Sequence, residues 1–195
     1  MLRVAVLASG GGTNLQALLD ALHGSPSPIA RVTRVVSDRP NTGALERAHR
    51  AGVPATVLRD PTDPAELLTA LDDAGLVVLA GYLKLVPAPV VARFRWRMIN
   101  IHPALLPGFG GAGMYGRRVH AAVLASGAAE SGATVHYVDE QFDRGPVIAQ
   151  TRVPVRPGDT PEALAARVLT AEHQLLPSVV LELARRGIPN QPVRM

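Results

Sequence analysis

The feature that most constrains the fold is an alternation between short apolar runs and segments whose apolar residues recur at helical spacing. The first run, residues 3–8, ends in the turn SGGGTN, after which leucines recur at helical spacing over residues 15–22. The alternation continues with the runs VTRVVS, PATVL, LVVLA and MINI, and helices are predicted near residues 41–51 and 64–74. Strands that alternate with helices form a parallel sheet with helices on both faces. We therefore predict an α/β fold.

The texture of the sequence changes after Ile101, where a stretch rich in glycine and proline (HPALLPGFGGAGMYGRR) replaces the expected regular element. Loops of this kind on α/β scaffolds commonly carry function. A helix is predicted near residues 119–125, and GATVHYVD and PVIAQTRVPV are predicted to pair as an antiparallel hairpin at the sheet edge. Thr160 and Pro161 should open the last helix as N-cap and first-turn proline, and Pro177 should bend or break that helix.

These elements predict a single-domain, mostly parallel, doubly wound (Rossmann-like) sheet with an antiparallel edge hairpin and helices on both faces. With 195 residues, 47% of them hydrophobic, the chain has the size of one domain with a full core. We assign residues 1–187 to this domain and residues 188–195 to a short C-terminal tail.

Composition argues against several classes of function. The chain contains no cysteine, which excludes disulfides, thiolate zinc sites and a cysteine nucleophile. The histidines lack metal-ligand spacing, so no metal is predicted, and the scattered arginines argue against a nucleic-acid partner. No apolar run is long enough to cross a bilayer, and the chain opens without the regions of a signal peptide. We therefore predict a cytoplasmic protein without a membrane partner.

The turn after the first apolar run has the composition of an anion site. Gly10, Gly11, Gly12, Thr13 and Asn14 lie between the first predicted strand and the first helix, where free backbone N–H groups and the helix dipole favour a phosphate. The segment matches neither the dinucleotide fingerprint GxGxxG nor a P-loop, which disfavours NAD and ATP. A tight turn that binds nothing is the alternative.

Asn100 and His102 fall where a predicted strand ends, so both should lie on one face at the carboxyl edge of the sheet, where ligands bind. An Asn amide can hold a developing oxyanion while an imidazole exchanges protons near neutral pH, a combination suited to acyl transfer. Asp143, in the turn DRGP, is a candidate for the carboxylate that orients and charges this histidine. The alternatives are an Asn and a His that cap the loop backbone, and an ordinary hairpin-turn aspartate.

Glu172 is the anomaly of the last helix, because it falls within the apolar stripe formed by Leu164, Val168, Leu175 and Val179. A carboxylate on that face needs a partner. A ligand and an internal arginine are equally good candidates for it.

The run RFRWR, residues 93–97, interleaves basic and aromatic residues, as strips that bind nucleic acids do. Period-two alternation would instead bury Phe94 and Trp96 and expose three arginines, which needs no ligand. We favour this second interpretation.

In combination, these segments resemble a known family. SGGGTNLQALL, LAGYLKLV, NIHPALLPGF, TVHYVDEQFDRGPVIAQ and TAEH occur in the order and spacing typical of the phosphoribosylglycinamide formyltransferases, over essentially the whole chain. The resemblance implies transfer of a formyl group from the co-substrate 10-formyltetrahydrofolate to the amine of glycinamide ribonucleotide, a step of purine (IMP) biosynthesis. It implies small-molecule substrates and no metal, and it leaves a homodimer open as the assembly.

Matching the family's motifs position by position assigns the site. Four residues match positions that contact the ribonucleotide, three of them in the turn that holds its phosphate: Gly12, Thr13, Asn14 and Glu172. Eight match positions of the folate site: Leu83, Lys84, Leu85, Val86, Asn100, Val138, Asp139 and Glu140. Three match the catalytic residues: Asn100, His102 and Asp143.

The chain departs from the family in two places. The loop GFGGAGMYGRR is longer than the Pro-Gly-His segment of most members, and Arg59 is the only candidate for the basic residue that many members present to folate. Methionyl-tRNA formyltransferase and formyltetrahydrofolate deformylase resemble the same fold and use the same catalytic residues, but both are expected to be longer and neither has SGGGTN as its first turn. A nucleotide-binding module without catalysis is the alternative from another class.

Overall fold

The computed structural model describes residues 1–24 and 28–195. Within these ranges, seven strands form one sheet: β1 (Leu2–Ala8), β2 (Ala30–Ser37), β3 (Ala55–Val57), β4 (Leu76–Leu79), β5 (Met98–His102), β6 (Glu130–Tyr137) and β7 (Val147–Pro154). The helices of the same ranges are α1 (Thr13–His23), α2 (Gly43–Arg50), α3 (Pro64–Ala70), α4 (Ala88–Arg93), α5 (Arg117–Ala125) and α6 (Pro161–Arg186).

The sheet has the strand order β3-β2-β1-β4-β5-β6-β7. The first five strands of the chain pair in parallel, whereas β6 pairs antiparallel with both β5 and β7. This arrangement confirms the predicted fold class. The chain leaves β1 toward one edge through β2 and β3 and then returns to the other side of β1 with β4. The carboxyl ends of β1 and β4 therefore form a topological switch point, where ligands of such sheets bind.

The side chains of β1 divide the core into two layers. Val4, Val6 and Ala8 belong to the layer under α1, α2, α5 and α6, while Ala5 and Leu7 belong to the layer under α3 and α4. Successive residues of a strand face opposite sides of the sheet. Because both sides are covered, all five residues are fully buried, and the strand reads as one continuous apolar run.

The start of α6 confirms the prediction made from its sequence. Thr160 is the N-cap, its Oγ1 accepts a hydrogen bond from the N–H of Ala163 at 3.2 Å, and Pro161 occupies the first turn. This cap fixes where the helix begins, at the rim of the site described below.

Of the predicted bend or break at Pro177, the break is wrong, because α6 continues to Arg186. A proline inside a helix loses one hydrogen bond and costs about 3 kcal/mol. Pro177 and its neighbours Leu176 and Val180 are buried, and each buried aliphatic side chain contributes about 1.5–3 kcal/mol. The packing of α6 on the sheet therefore outweighs the lost hydrogen bond.

The strand-like interpretation of residues 93–97 is also wrong. The short helix α4 ends at Arg93, and Trp96, with φ of 61°, lies in the turn that leads into β5. Phe94 is buried as predicted, but Trp96 is only half-buried and packs edge-on against Tyr137, with ring centroids 5.4 Å apart. The three arginines of the run lie over these rings, Arg93 and Arg97 over Phe94 and Arg95 over Trp96. Stacking on aromatic faces thus accounts for the alternation of residue types.

The C-terminal tail lies against the domain. Ile188 and Val193 pack on the core layer under α6, and the N–H of Met195 donates to the carbonyl of Ile148 in β7 at 2.7 Å. The division at residue 187 stays a prediction. In the part of the chain that the structure describes, no helix has the length and apolar character needed to span a membrane.

Candidate active site

A cavity of about 580 Å³ opens at the switch point of the sheet. Its lining comes mainly from the segments that follow β1, β4, β5 and β6, from the glycine-rich loop and from the first half of α6: residues 10–14, 79–86, 100–103, 111, 113–117, 120, 136, 138–139, 141–143 and six residues between 161 and 172. All of the site residues predicted from the sequence line this cavity except Glu140. The structure therefore brings together residues that are up to 160 positions apart in the chain.

The glycine turn is built so that a backbone approaches it closely. Gly12 has φ of 71°, and a Cβ there would lie 2.6 Å from Cα of Ala44 in α2, so only glycine fits. The guanidinium of Arg47 donates to the carbonyl of Gly11 at 2.9 Å and holds the turn from the other side. Helix α1 starts at Thr13 without a side-chain cap, which leaves its first N–H groups without intrahelical partners. This geometry favours an anion.

Glu172 is 6% exposed and reaches the cavity beside this turn. The side-chain Nδ2 of Asn14 donates to its Oε2 at 3.2 Å, and no arginine of the described residues bonds to it. Burial raises the pKa of Glu172 to about 7, although the Asn14 hydrogen bond and the charge of His102 partly lower it. Asn14 therefore faces Glu172, and its own Oδ1 is buried without a partner in the described residues. Of the two predicted partners of Glu172, the geometry favours a ligand over an internal arginine.

Asn100, His102 and Asp143 meet at the carboxyl end of β5. Nδ1 of His102 lies 3.4 Å from Oδ1 of Asp143, and Nδ2 of Asn100 donates to the same oxygen at 3.4 Å. Asp143, at φ of 57° in the turn before β7, is only 10% exposed at its side chain. Burial alone would raise the pKa of Asp143, but the hydrogen bond from His102, the charge of His102 and the N–H of Gly111 lower it below its ordinary value. The carboxylate is therefore charged beside a buried histidine.

The other ring nitrogen of His102 is also engaged. Nε2 lies 2.8 Å from the carbonyl oxygen of Phe109 in the glycine-rich loop. A carbonyl and a carboxylate can only accept, so the two contacts together fit a ring that carries a proton on each nitrogen. The contact with Phe109 was not predicted from the sequence.

His136 supports Asn100 across the pair of strands β5 and β6, where the two residues are directly opposite. Its Nδ1–H donates to the carbonyl of Tyr137 at 2.8 Å, which leaves Nε2 free to accept from Nδ2 of Asn100 at 3.0 Å. The same Nε2 lies 3.5 Å from Oδ1 of Asp143. His136 thereby fixes which way the amide of Asn100 points.

Part of the cavity lining is apolar. Leu83 and Leu85 are 40% and 46% exposed and line the mouth beside Lys84, and the N–H of Leu83 donates to Oγ of Ser9 at 3.0 Å. Such a surface suits the apolar part of a ligand.

Two residues with a predicted or suggested ligand contact lie elsewhere. Asp139 Oδ1 accepts from the N–H of Gln141 at 2.9 Å, and this turn directs Glu140 to the surface, outside the cavity lining. Arg59 pairs with Glu66, its side chain is 91% exposed, and it does not line the cavity.

Some lining residues were missed by sequence reasoning. Tyr82, Met114 and Tyr115 had no signal of their own, because a single aromatic or methionine residue is more often core or surface than ligand contact. The lining residues of α6 could have been found from the position of Glu172. Glu162, Ala165, Leu169 and Glu172 follow one another at spacings of three or four residues, so they share one face of the helix.

His120 is a buried histidine of the cavity wall. It is 4% exposed, and its Nδ1 has no hydrogen-bond partner in the described residues. Burial, followed by the charge of His102, lowers the pKa of His120, so that its ring is neutral beside the charged pair. Across residues 1–24 and 28–195, no group of three or more histidine, aspartate or glutamate side chains is arranged to hold a metal ion.

A comparison with known proteins agrees with this geometry. The formyl transferase family matches residues 2–180. The phosphoribosylglycinamide formyltransferase of Haemophilus influenzae is 37% identical over 92% of this chain and 86% of its own length. The chloroplastic phosphoribosylglycinamide formyltransferase of Arabidopsis thaliana is 45% identical over 91% of this chain, which spans 64% of that relative's length.

The fold has a matching solved structure, glycinamide ribonucleotide transformylase 1 from Symbiobacterium toebii, with a TM-score of 0.89 and 40% identity over the whole of this chain and 92% of that one. The resemblance inferred from the sequence motifs is confirmed. The family match covers most of the chain, and this protein belongs to the formyl transferase family.

Proposed function

We propose that this protein transfers the formyl group of 10-formyltetrahydrofolate to the amine of glycinamide ribonucleotide, giving formylglycinamide ribonucleotide and tetrahydrofolate in purine biosynthesis. The observation that carries the proposal is the convergence of Asn100 and His102 on Asp143 in a single cavity, each with a nitrogen 3.4 Å from Oδ1 of the carboxylate. The family relationship supports formyl transfer as the reaction class.

The chemistry follows from the groups in the cavity. The substrate amine attacks the formyl carbon, and the new C–N bond gives a tetrahedral intermediate with a negative oxygen. The amide N–H of Asn100 and the positive charge of His102 stabilise this oxygen. One proton of the amine passes to the folate nitrogen as the bond between that nitrogen and the formyl carbon breaks. Asp143 keeps the imidazolium in place during these steps.

The N–H at Nε2 of His102 must be shared between the carbonyl of Phe109 and the developing oxyanion. Both N–H groups of the Asn100 amide have partners, Nε2 of His136 at 3.0 Å and Oδ1 of Asp143 at 3.4 Å, so the oxyanion must take the N–H of the longer contact, the one to Asp143. The positive charge of His102 also stabilises the oxyanion without a direct hydrogen bond, since a buried charge is weakly screened.

Different parts of the cavity lining suit the two substrates. The N–H groups at Gly12, Thr13 and Asn14 suit the phosphate of the ribonucleotide, and Glu172 suits its polar groups. The apolar segment of residues 83–86 and the turn of residues 138–140 suit the pterin ring, with Glu140 as the weakest member of the set because it points to solvent.

Asn14→Asp is expected to raise the KM for the ribonucleotide about tenfold, with little change in the KM for folate. The new carboxylate would face both the phosphate and Glu172, whose Oε2 is 3.2 Å from Nδ2 of Asn14. Gln16→Glu is the matched control, because it adds the same charge two positions further along α1 but outside the cavity lining. Steady-state kinetics with each substrate varied in turn measure the effect. Equal losses for both substrates would refute the phosphate assignment.

Glu172→Gln keeps the volume of the side chain and removes its charge, so the KM for the ribonucleotide should rise about tenfold.

The same variant has a predicted effect on stability. Because burial raises the pKa of Glu172 to about 7, the folded protein binds the proton of this carboxyl more tightly than the unfolded chain does. The carboxyl therefore destabilises the fold progressively as pH rises from about 4.5 to 7. The melting temperature of the variant should match the parent's below pH 4.5 and equal or exceed it at pH 8. A loss of stability at pH 8 with normal kinetics would contradict the substrate role, and Glu182→Gln on the outer part of α6 serves as the control.

An assay with two acceptors, and with none, separates this function from its rivals. Purified protein should consume 10-formyltetrahydrofolate when glycinamide ribonucleotide is present. It should not consume it with methionyl-tRNA or in the absence of an acceptor. Consumption without an acceptor would indicate the deformylase, and consumption with the tRNA would indicate the tRNA enzyme.

A cytoplasmic location stays a prediction, because the Arabidopsis relative is described as chloroplastic. A homodimer also stays a prediction.

A further inference from the structure

A three-residue segment of the glycine-rich loop contacts both members of the charged pair. The carbonyl of Phe109 accepts from Nε2 of His102 at 2.8 Å, and the N–H of Gly111 donates to Oδ2 of Asp143 at 3.0 Å. The loop therefore uses backbone groups alone to hold the outer atoms of the pair, while Oδ1 of Asp143 faces the ring of His102.

Gly110, between these two contacts, lies directly against Asp143. A Cβ at Gly110 would be 2.9 Å from Cβ of Asp143 and 2.5 Å from Cδ2 of Leu106. The end of the Leu106 side chain can turn away, but Cβ of Asp143 is fixed to a backbone held at φ of 57°. Any side chain at Gly110 must therefore displace the loop or Asp143.

We propose that Gly110 is a positioning residue: the absence of a side chain lets the loop backbone hold Asp143 and His102 in the relation that formyl transfer requires. The inference rests on the proposed function. Gly110 itself does not line the cavity, so its effect passes through the pair and not through contact with a substrate. It also gives a physical role to the loop in which this chain departs from the segment typical of most relatives.

Gly110→Ala should lower kcat about tenfold or more while the KM for each substrate stays within about threefold, since displacing a catalytic group by up to 1 Å can cost 10² in rate. Gly108→Ala is the matched control in the same loop: its Cβ would meet only the carbonyl of Leu105, at an ordinary 3.6 Å. Rates are normalised to the folded fraction, measured by circular dichroism at the assay temperature. A kcat of Gly110→Ala within threefold of the parent would overturn the proposal.

A second variant separates the two close contacts. Leu106→Val removes Cδ2, so in the double variant Leu106→Val/Gly110→Ala the contact with Leu106 is relieved while that with Asp143 remains. The proposal expects the double variant to stay as slow as Gly110→Ala. Recovery to the rate of Leu106→Val alone would assign the loss to packing against Leu106 and overturn the role of Asp143.

An activity-independent measurement keeps this inference apart from the proposed function. In the parent, Asp143→Asn should shift the amide resonance of Gly111 in an NMR spectrum, because that N–H donates to the carboxylate. In the Gly110→Ala background the same substitution should shift it far less. Equal shifts in both backgrounds would overturn the inference even if the protein transferred formyl groups, whereas the expected shifts in a protein without transferase activity would sink the proposed function alone.

Discussion

Asp143→Asn is expected to lower kcat by roughly 10² or more while both substrates still bind. The carboxylate lies 3.4 Å from Nδ1 of His102, and its lowered pKa keeps it charged throughout the neutral range. An amide at this position has no charge with which to hold the imidazolium, and it could turn its NH₂ group toward the ring. Steady-state kinetics from pH 6 to 8 give kcat and both KM values.

The double variant with His102→Ala tests whether the two residues act as a unit. Residues that act as a unit are not additive, so the double variant should be little worse than the slower single variant. Asp20→Asn, an exposed change on α1 at a carboxylate that accepts a hydrogen bond from Gln16, should leave kcat unchanged. A near-normal kcat of Asp143→Asn across this pH range would return Asp143 to an ordinary turn residue.

Asn100→Ala is expected to lower kcat by roughly 10²–10³, the usual loss for one donor to a developing oxyanion. The KM values should change little, because this interaction strengthens only in the transition state. The prediction depends on His136, which accepts one amide N–H of Asn100 at 3.0 Å and so directs the other.

Two comparisons sharpen this result. Asn190→Ala, an exposed change in the C-terminal tail, should leave kcat unchanged. If Asn100→Ala instead raised the KM for folate and left kcat within about threefold of the parent, Asn100 would serve ground-state binding only, and the oxyanion assignment would fail.

The sheet could be predicted from the sequence because its strands are buried on both faces. Residues 4–8 are apolar at every position because β1 packs between two helical layers, and leucines at helical spacing indicate α1. The break at Pro177 and the strand-like alternation around Trp96 were wrongly predicted, because side-chain packing overrides the local pattern there. Tertiary packing carries α6 through its proline, and cation–π stacking around Trp96 imitates the alternation of a strand.

The site was predicted where a residue's chemistry was out of place, as for Glu172 on an apolar stripe. The details of the site that depend on backbone position were not predicted. The contacts of Phe109 and Gly111 with the charged pair use main-chain atoms, which any residue carries, so no residue type signals them. The partner of Asn14 was also missed, because Glu172 lies 158 positions away in the chain.

The most direct test of the proposed function follows the formyl carbon. With 10-formyltetrahydrofolate labelled with ¹³C in its formyl group, incubation with the protein and glycinamide ribonucleotide should place the label in the amide of formylglycinamide ribonucleotide, with one tetrahydrofolate formed for each labelled product. The His102→Ala variant should form this product at a strongly reduced rate. Label recovered as free formate, or label that remains in the folate, would contradict formyl transfer to this amine.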